Sequence, residues 1–453
     1  MFPMLHLQHN SICTYLRWLT ATWFFSAASA IAAPYTLPSG SNLATGPTAN
    51  SRFLLITQNN PAAAASAYGT EFAKPVRLGI LGAVGFGQEL GASDNVDVTL
   101  ARLRPELKKN NLNAVDIENI KNEFESDLNK FGSDPYLLRT DLIAHTPMMP
   151  IVITSNVIGG AVTVDVKASG QSQAQFLNRP IHFNVLSGKA ETASAIYTKT
   201  AMLGHFSVGF ARPIAYFSKE TGSPLEGDLL TGVKLNYYQL GLRRSIFRLT
   251  HDKNLNKLVL NELKRPLNQK TALSIDVGLL FTSRFYSVGA SLEDVNVTNY
   301  NFKNIGLDCE ESGSASAPGE DCYFTRSFAQ DINLKEDFTL APKATLEGSL
   351  YNQSRNLVLS MYGQVNPSQD LMGVTRQPIG LSLAYQSRNW LAPGFRVGAH
   401  NNQLLDGLSY LSLGLTFASS ISIDLAYGLE SVGVDNVSIP RKWALNVGLE
   451  LLL

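Results

Sequence analysis

The residue types that perform chemistry in enzymes are sparse in this sequence and form no recognised catalytic or metal-binding motif. It has no H-E-x-x-H pair and no G-x-S-x-G turn of the kind that presents a catalytic serine. His205 and Ser207 would share one face of a strand, which suits either a serine hydrolase or a histidine that is simply hydrogen-bonded. We therefore predict that the protein is not an enzyme and uses no cofactor and no metal ion.

Cys309 and Cys322 bracket a stretch of small, polar and turn-forming residues. In an exported protein, such a pair closes a loop as a disulfide, which contributes about 3 kcal/mol in the chain-entropy account. A metal or redox pair is the alternative, but neither cysteine belongs to a C-x-x-C sequence or has a histidine beside it.

The first 33 residues have the features of a secretory signal peptide. Arg17 precedes an apolar stretch, and the small residues that follow offer cleavage sites near 30–33. An N-terminal membrane anchor is the alternative, although the apolar stretch is short for a membrane span. We expect residues 1–33 to be removed and residues 34–453 to form one domain.

The composition argues against two broad classes of protein. Lys and Arg total 37, and so do Asp and Glu, so no basic field exists that would bind nucleic acid. Charged residues make up only 16% of the chain, whereas about 25% is usual. Yet no apolar run long enough for a membrane-spanning helix follows residue 33. A helical membrane protein is therefore not expected.

Apolar residues alternate with small or polar residues along much of the chain. In the last segment, the apolar residues from Trp443 onward alternate with residues such as Asn446 and Gly448. The same alternation recurs in earlier segments: 273–281, 379–385, 411–417 and 421–429. An apolar outer face and a small or polar inner face are typical of transmembrane β-barrels. We predict an all-β fold, an antiparallel transmembrane β-barrel of about 14 strands (12–16) with helical inserts.

The connections between these segments alternate in length, as expected for short periplasmic turns and longer outer loops. Counted back from a periplasmic C-terminus, 431–440 is long and 419–420 is short. The alternation continues to a very long loop at about 295–336. This places the two cysteines on the outer surface.

Two inserts interrupt the strand pattern. Residues 94–145 are rich in charge and contain apolar residues three or four positions apart, as in an amphipathic helix: Ile117, Ile120, Phe124, Leu128 and Phe131. The neighbouring stretches 96–107 and 136–145 could add short helices, and 251–270 is a smaller basic insert. The inserts are consistent with a plug, a periplasmic docking module or a partner site. They are equally consistent with solvent-exposed helical segments that pack on the barrel rim.

Charged residues at the small or polar positions are candidates for the barrel lumen: Arg77, Lys234, Asp276, Lys343, Glu347, Arg396, Asp424 and Glu450. Opposite charges that face each other would either line a wet pore or neutralise each other as structural ion pairs.

Several short motifs occur in a suggestive order: Asn60-Pro61-Ala62 and the stretches 204–211, 340–351, 377–385 and 395–401. Their order resembles the outer-membrane barrel family of conjugal transfer proteins called TraF, which is similar to the FadL-type long-chain fatty acid transporters. The resemblance covers most of the mature chain and is strongest after residue 200. The sequence departs from the pattern in its reduced glycine-rich run at 36–46 and in its last residue, Leu453, where many barrels have an aromatic residue.

The resemblance implies a non-enzymatic component of a Gram-negative outer membrane, surrounded by lipid, that works with envelope or conjugation proteins in plasmid transfer or in transport. A FadL-like channel for a hydrophobic small molecule is the first alternative, and it would show an interrupted strand with a lateral opening and an N-terminal plug. A soluble exported β-sandwich or adhesin is the second, and it would show no continuous apolar band.

Overall fold

The computed structural model describes most of the chain after residue 31. The described residues are 32–452 apart from 50–58, 68–74, 92, 218–225, 250–263, 265–266, 297, 302–303, 308–321, 341, 387–391, 405–407 and 435–436. The signal peptide up to residue 31, Cys309 and most of the insert at 251–270 lie outside them. The signal peptide and the Cys309–Cys322 disulfide therefore stay predictions.

A closed antiparallel β-barrel of 14 strands forms the centre of the described structure, which confirms the predicted fold. Its strands are β1 (Val76–Leu90), β2 (in two parts, Leu138–His145 and Ile151–Ser155), β3 (Gly160–Leu177), β4 (Ala195–Phe217), β5 (Gly227–Arg248), β6 (Asn268–Ser283), β7 (Tyr286–Glu293), β8 (Lys343–Tyr351), β9 (Leu357–Gln364), β10 (Pro378–Tyr385), β11 (Gly394–Asn402), β12 (Ser409–Phe417), β13 (Ile421–Gly428) and β14 (Lys442–Leu452). Each strand pairs with its neighbours in the sequence, and β14 pairs with β1 to close the ring.

The barrel presents apolar side chains outward and small or polar side chains inward. On β12, Leu411, Leu413 and Leu415 are exposed, whereas Ser412 between them is fully buried. The neighbouring strands continue the exposed row, since Val397 on β11 and Leu425 on β13 lie opposite Leu413. This continuous apolar band surrounds the barrel as lipid requires, so the soluble β-sandwich alternative is wrong.

The two ends of the barrel differ in the length of their connections. One end has short turns, such as 284–285 and 418–420, and the other has long connections. The long connections carry additional elements: the hairpins Ile181–Asn184/Lys189–Thr192, Thr298–Asn301/Asp337–Leu340, Ser368–Asp370/Thr375–Arg376 and Ser431–Val434/Val437–Pro440, and the short helix Cys322–Arg326. Because short turns are periplasmic in bacterial barrels, the long-loop end is the outer end.

Helices α1 (Val96–Lys108) and α2 (Ala114–Ser133) lie at the outer end, between β1 and β2. The side chain and backbone of Asn113 form a capping box with Asp116 at the start of α2. The predicted apolar stripe of α2 is buried against Leu103 of α1 and Phe176 of β3. None of the helices in the described part of the chain is long and apolar enough to cross a membrane.

The expectation of a short helix at 136–145 is wrong, because Leu138–His145 is the first part of β2. Arg139, Ile143 and His145 are buried on the inner face, whereas Leu142 is exposed on the lipid face. Polar residues on the lumen face made this strand look like a polar extension of the neighbouring helices.

Strand β2 is interrupted at 146–150, and this segment packs against glycines of β1. A Cβ atom at Gly79 or Gly82 would lie 2.4 Å from the carbonyl oxygen of Met149. Gly79 donates its N–H to the carbonyl of Pro150 at 3.1 Å, so the interruption is bonded to the neighbouring strand. The glycines of β1 therefore permit close backbone approach.

The N-terminal segment enters the barrel lumen from the outer end. Its strand Ala32–Tyr35 pairs in parallel with Ser368–Asp370 of an outer hairpin. The short helix Asn42–Thr45 then contacts the inner face of β10 to β13, and the 3-10 helix Pro61–Ala67 contacts β3 to β6. These two helical turns fill the lumen as a plug.

Replacing Leu413 by Arg is expected to lower the free energy of unfolding by about 2–4 kcal/mol, because the charge would lie at the middle of the lipid band. Reversible urea unfolding in lipid vesicles measures this. Leu429→Arg is the matched control, since Leu429 is equally exposed, at 59% against 58%, but lies beyond β13 at the outer end. Equal costs for the two variants would contradict the position of the band.

Candidate functional site in the barrel lumen

Two of the predicted lumen residues form a buried ion pair across neighbouring strands. Lys234 of β5 lies directly opposite Asp276 of β6, and the ammonium nitrogen is 2.9 Å from the nearer carboxylate oxygen. Lys343 of β8 pairs in the same way with Glu293 of β7, at 2.7 Å. Direct cross-strand pairing neutralises these charges within the wall.

Arg396 and Asp424 form a bidentate pair that spans a strand. The Nε and Nη2 atoms of Arg396 on β11 each donate to one oxygen of Asp424 on β13, both at 2.9 Å. The strand between them contributes Gly414, where a Cβ atom would lie 2.0 Å from the Asp424 carboxylate. Breaking such a buried pair by removing one partner costs about 3–5 kcal/mol.

Arg77 and Glu450 lie near the periplasmic end on the closing strands β1 and β14. Arg77 is opposite Leu452, and Glu450 is opposite Gly79, so the two charges are diagonal neighbours. Arg77 is buried and Glu450 is half-buried.

Glu347 of β8 binds the plug. One carboxylate oxygen accepts a hydrogen bond from the side-chain amide of Asn60 at 2.6 Å, and the other accepts from the backbone N–H of Ala49. The Asn60 amide also donates to the carbonyl of Leu279 at 3.3 Å. Glu347 is buried, and both of its carboxyl oxygens accept hydrogen bonds from the plug.

Glycines of the barrel wall leave the space that the Asn-Pro-Ala motif of the plug occupies. A Cβ atom at Gly278 of β6 would lie 2.1 Å from the side-chain oxygen of Asn60. A Cβ atom at Gly232 of β5 would lie 2.4 Å from the carbonyl carbon of Pro61. Any larger residue at these positions would push the plug away from the wall.

The wall also forms hydrogen bonds with the first part of the plug, residues 38–45. Asn446 of β14 donates to the carbonyl of Pro38 at 2.7 Å, and Ser382 of β10 donates to the carbonyl of Thr45 at 3.0 Å. A ring nitrogen of His400 lies 3.2 Å from the carbonyl of Ala44. The plug is thus bonded to opposite sides of the barrel.

The lumen is layered along the barrel axis. The plug residues Ala62–Ala65 form an apolar floor with five wall residues: Val152, Ala161, Ala211, Leu230 and Leu280. Side chains of β4, β5 and the outer hairpins form an apolar ceiling nearer the outer end: Leu203, Tyr238, Leu240, Leu242, Tyr300, Phe338, Leu371 and Met372.

A polar cavity of about 130 Å³ lies between the floor and the ceiling. Its wall includes the Lys234–Asp276 and Lys343–Glu293 pairs together with Lys167 of β3. Lys167, Glu293 and the plug anchor Asn60 are functional candidates that the sequence analysis did not select as site residues. The motif order pointed to Asn60, but no feature of the sequence shows which wall residue receives it.

An ion network closes the outer end above the ceiling. Asp370 of the outer hairpin Ser368–Asp370/Thr375–Arg376 accepts hydrogen bonds from Arg139 and Arg376, and Arg376 also lies 3.3 Å from Glu89. Tyr136, in the connection that follows α2, donates to Glu89. Burial and the Glu89 carboxylate raise the pKa of the Tyr136 phenol, so it remains a donor at neutral pH.

The histidine and serine that could have formed a hydrolase pair are arranged otherwise. The Nε2 atom of His205 lies 3.0 Å from the side-chain oxygen of Asn236, so its hydrogen-bond partner is an amide. Within the described residues, no group of histidine, cysteine, aspartate and glutamate side chains is arranged to hold a metal ion.

Replacing Gly278 by Ala is expected to lower the free energy of unfolding by about 1–3 kcal/mol, because the added methyl group collides with Asn60. Urea unfolding in lipid vesicles measures this. Gly348→Ala is the control, since its Cβ atom would meet no atom closer than 3.8 Å and alanine stabilises a strand relative to glycine. Equal stability of Gly278→Ala and the control would contradict the close packing of Asn60 against Gly278.

Solved structures to which the chain is similar include a hydrocarbon channel, a toluene transporter and a FadL homologue. A TodX deltaS2S3 mutant monoaromatic hydrocarbon channel shares 10% identity over 92% of this chain and 98% of its own, with a TM-score of 0.43. The toluene transporter TbuX of Ralstonia pickettii shares 11% identity over 93% and 98%, with a TM-score of 0.39. A Pseudomonas aeruginosa FadL homologue shares 11% identity over 94% and 100%, with a TM-score of 0.34.

No curated protein sequence matches the chain significantly. The family model described as "F plasmid transfer operon, TraF, protein" matches residues 58–362, from the segment before the Asn-Pro-Ala anchor to the ninth strand of the barrel. This outer-membrane β-barrel belongs to the TraF family of the F plasmid transfer operon.

Proposed function

We propose that this protein is a non-enzymatic component of the outer membrane of a Gram-negative bacterium, that it acts in plasmid transfer, and that its own N-terminal segment closes its barrel at rest. Family membership supports the role in plasmid transfer. The observation that carries the closed state is the contact between Glu347 of the wall and Asn60 of the plug, at 2.6 Å.

The layers of the lumen support a barrel that does not conduct at rest. An apolar floor and an apolar ceiling lie on either side of the polar cavity, and both contain side chains that are almost fully buried. Water and ions moving along the inner face of β4 and β5 would meet these two dry layers, where polar groups lose their hydrogen bonds to water.

A barrel that does not conduct acts in the envelope by binding other proteins through its exposed surfaces. The outer end offers the helices α1 and α2 and the hairpin Ile181–Asn184/Lys189–Thr192, held together by a common core that includes Phe124, Phe131 and Phe176. Envelope or conjugation proteins are the partners that this role requires, with lipid around the band.

Deleting the gene in donor cells is expected to lower the frequency of plasmid transfer by at least an order of magnitude, and the wild-type gene should restore it.

Purified protein in planar lipid bilayers should show no steady conductance, because the plug fills the lumen. Deletion of residues 34–67 should open a conducting pore. Unchanged plasmid transfer in the deletion strain would contradict the role in conjugation, and steady conductance of the wild-type protein would contradict the plug.

The interrupted strand β2 favours a second candidate function, a channel that releases a hydrophobic small molecule sideways into the membrane. Residues 146–150 are the break in the wall, and Met148 within them is exposed. The N-terminal plug is the other feature that this alternative requires. The gene deletion distinguishes the two candidates, since a channel predicts slower uptake of hydrophobic compounds and normal plasmid transfer.

A further inference from the structure

A cavity of about 330 Å³ lies at the outer end of the barrel, apart from the central polar cavity. Its walls come from β3 and β11, from the connection after α2, and from the outer hairpin Ser368–Asp370/Thr375–Arg376. This volume falls at the lower end of the range of about 300–1,000 Å³ that is typical of small-molecule sites. The cavity is therefore large enough for a ligand.

Uncharged amide side chains line this outer cavity with unused hydrogen-bonding capacity. Gln175 lines the cavity, and within the described part of the chain its amide has no hydrogen-bond partner. Gln173 donates its NH₂ group to the carbonyl of Pro135 at 3.3 Å, and its side-chain oxygen is fully buried. Asn402 uses its side-chain oxygen to accept from the N–H of Gln377 at 2.7 Å, which leaves its NH₂ group available. The cavity thus offers both donors and acceptors.

The charged groups around the outer cavity are already paired. Lys199 lies 2.5 Å from Glu336, and Arg441 lies 2.8 Å from Glu430. Arg376 is bound by Asp370 and Glu89 at 3.2 and 3.3 Å. A strongly charged ligand would have to break these pairs, whereas a neutral polar ligand leaves them intact.

Apolar surface completes the lining of the outer cavity. Met372 and Val374 of the hairpin and Leu408 before β12 face it, together with Pro135 and Tyr136. The hairpin is held rigidly, since Asp370 accepts the backbone N–H groups of Met372 and Val374 at 2.8 and 3.0 Å. A preorganised site loses less conformational freedom when a ligand binds.

We propose that this outer cavity binds a neutral saccharide. A sugar hydroxyl both donates and accepts hydrogen bonds, which matches the amide of Gln175 and the NH₂ group of Asn402. The C–H faces of a sugar ring match the apolar surface of Pro135 and Val374. The site does not depend on the closed state of the lumen or on the role in plasmid transfer.

The test is a calorimetric titration of the full mature protein in a detergent without a sugar headgroup. The probes are maltotriose and delipidated O-polysaccharide. Saturable binding of either one is expected, and maltotriose binding would indicate a diffusible sugar, whereas binding of the polysaccharide alone would indicate a cell-surface glycan.

Gln175→Ala and Asn402→Ala should each weaken this binding about tenfold, because each removes hydrogen bonds to the sugar. Gln269→Ala is the matched control, since Gln269 is exposed at the same end of the barrel and bonds to Gln239 instead. Heat-dependent gel mobility shows that each variant is folded. Absence of saturable binding for both probes, or wild-type affinity in both pocket variants, would overturn the proposal.

Discussion

The pairing of β1 with β14 is the contact on which the rest of the structure depends. Lipid offers no hydrogen bonds, so every backbone N–H and C=O in the membrane must be paired within the chain. Closure between Arg77–Leu452 and Glu89–Lys442 removes the open edges of the sheet. Once the sheet is closed, alternation along each strand separates an apolar outer face from a polar inner face.

Closure creates an interior that has to be filled, and the N-terminal segment fills much of it. Charges on the inner face are neutralised in pairs such as Arg396–Asp424, while Glu347 binds the plug. Glycines such as Gly278 and Gly414 make room for these contacts, so small residues in the wall determine where the lumen contents fit. The same wall supports a closed lumen and, at the outer end, a separate polar cavity.

The sequence predicts the barrel, because a period of two is a local property of the chain. It also indicates α2, whose apolar stripe repeats at helical spacing. It does not show that Leu138–His145 is a strand or that Lys343 pairs with Glu293, since those depend on the register between distant segments. The partnership of Asn60 with Glu347 joins residues that are 287 positions apart, and no local pattern encodes it.

Hydrogen–deuterium exchange tests the central claim, that the N-terminal segment lies inside the closed barrel, most directly. In purified protein, the amides of the turns at 42–46 and 61–67 should exchange as slowly as those of the wall strand β12. The N–H of Ala63 bonds to the carbonyl of Asn60 at 3.0 Å, and that of Thr45 bonds to the carbonyl of Ser41 at the same distance. Rapid exchange of both turns alongside protected wall strands would contradict the plug.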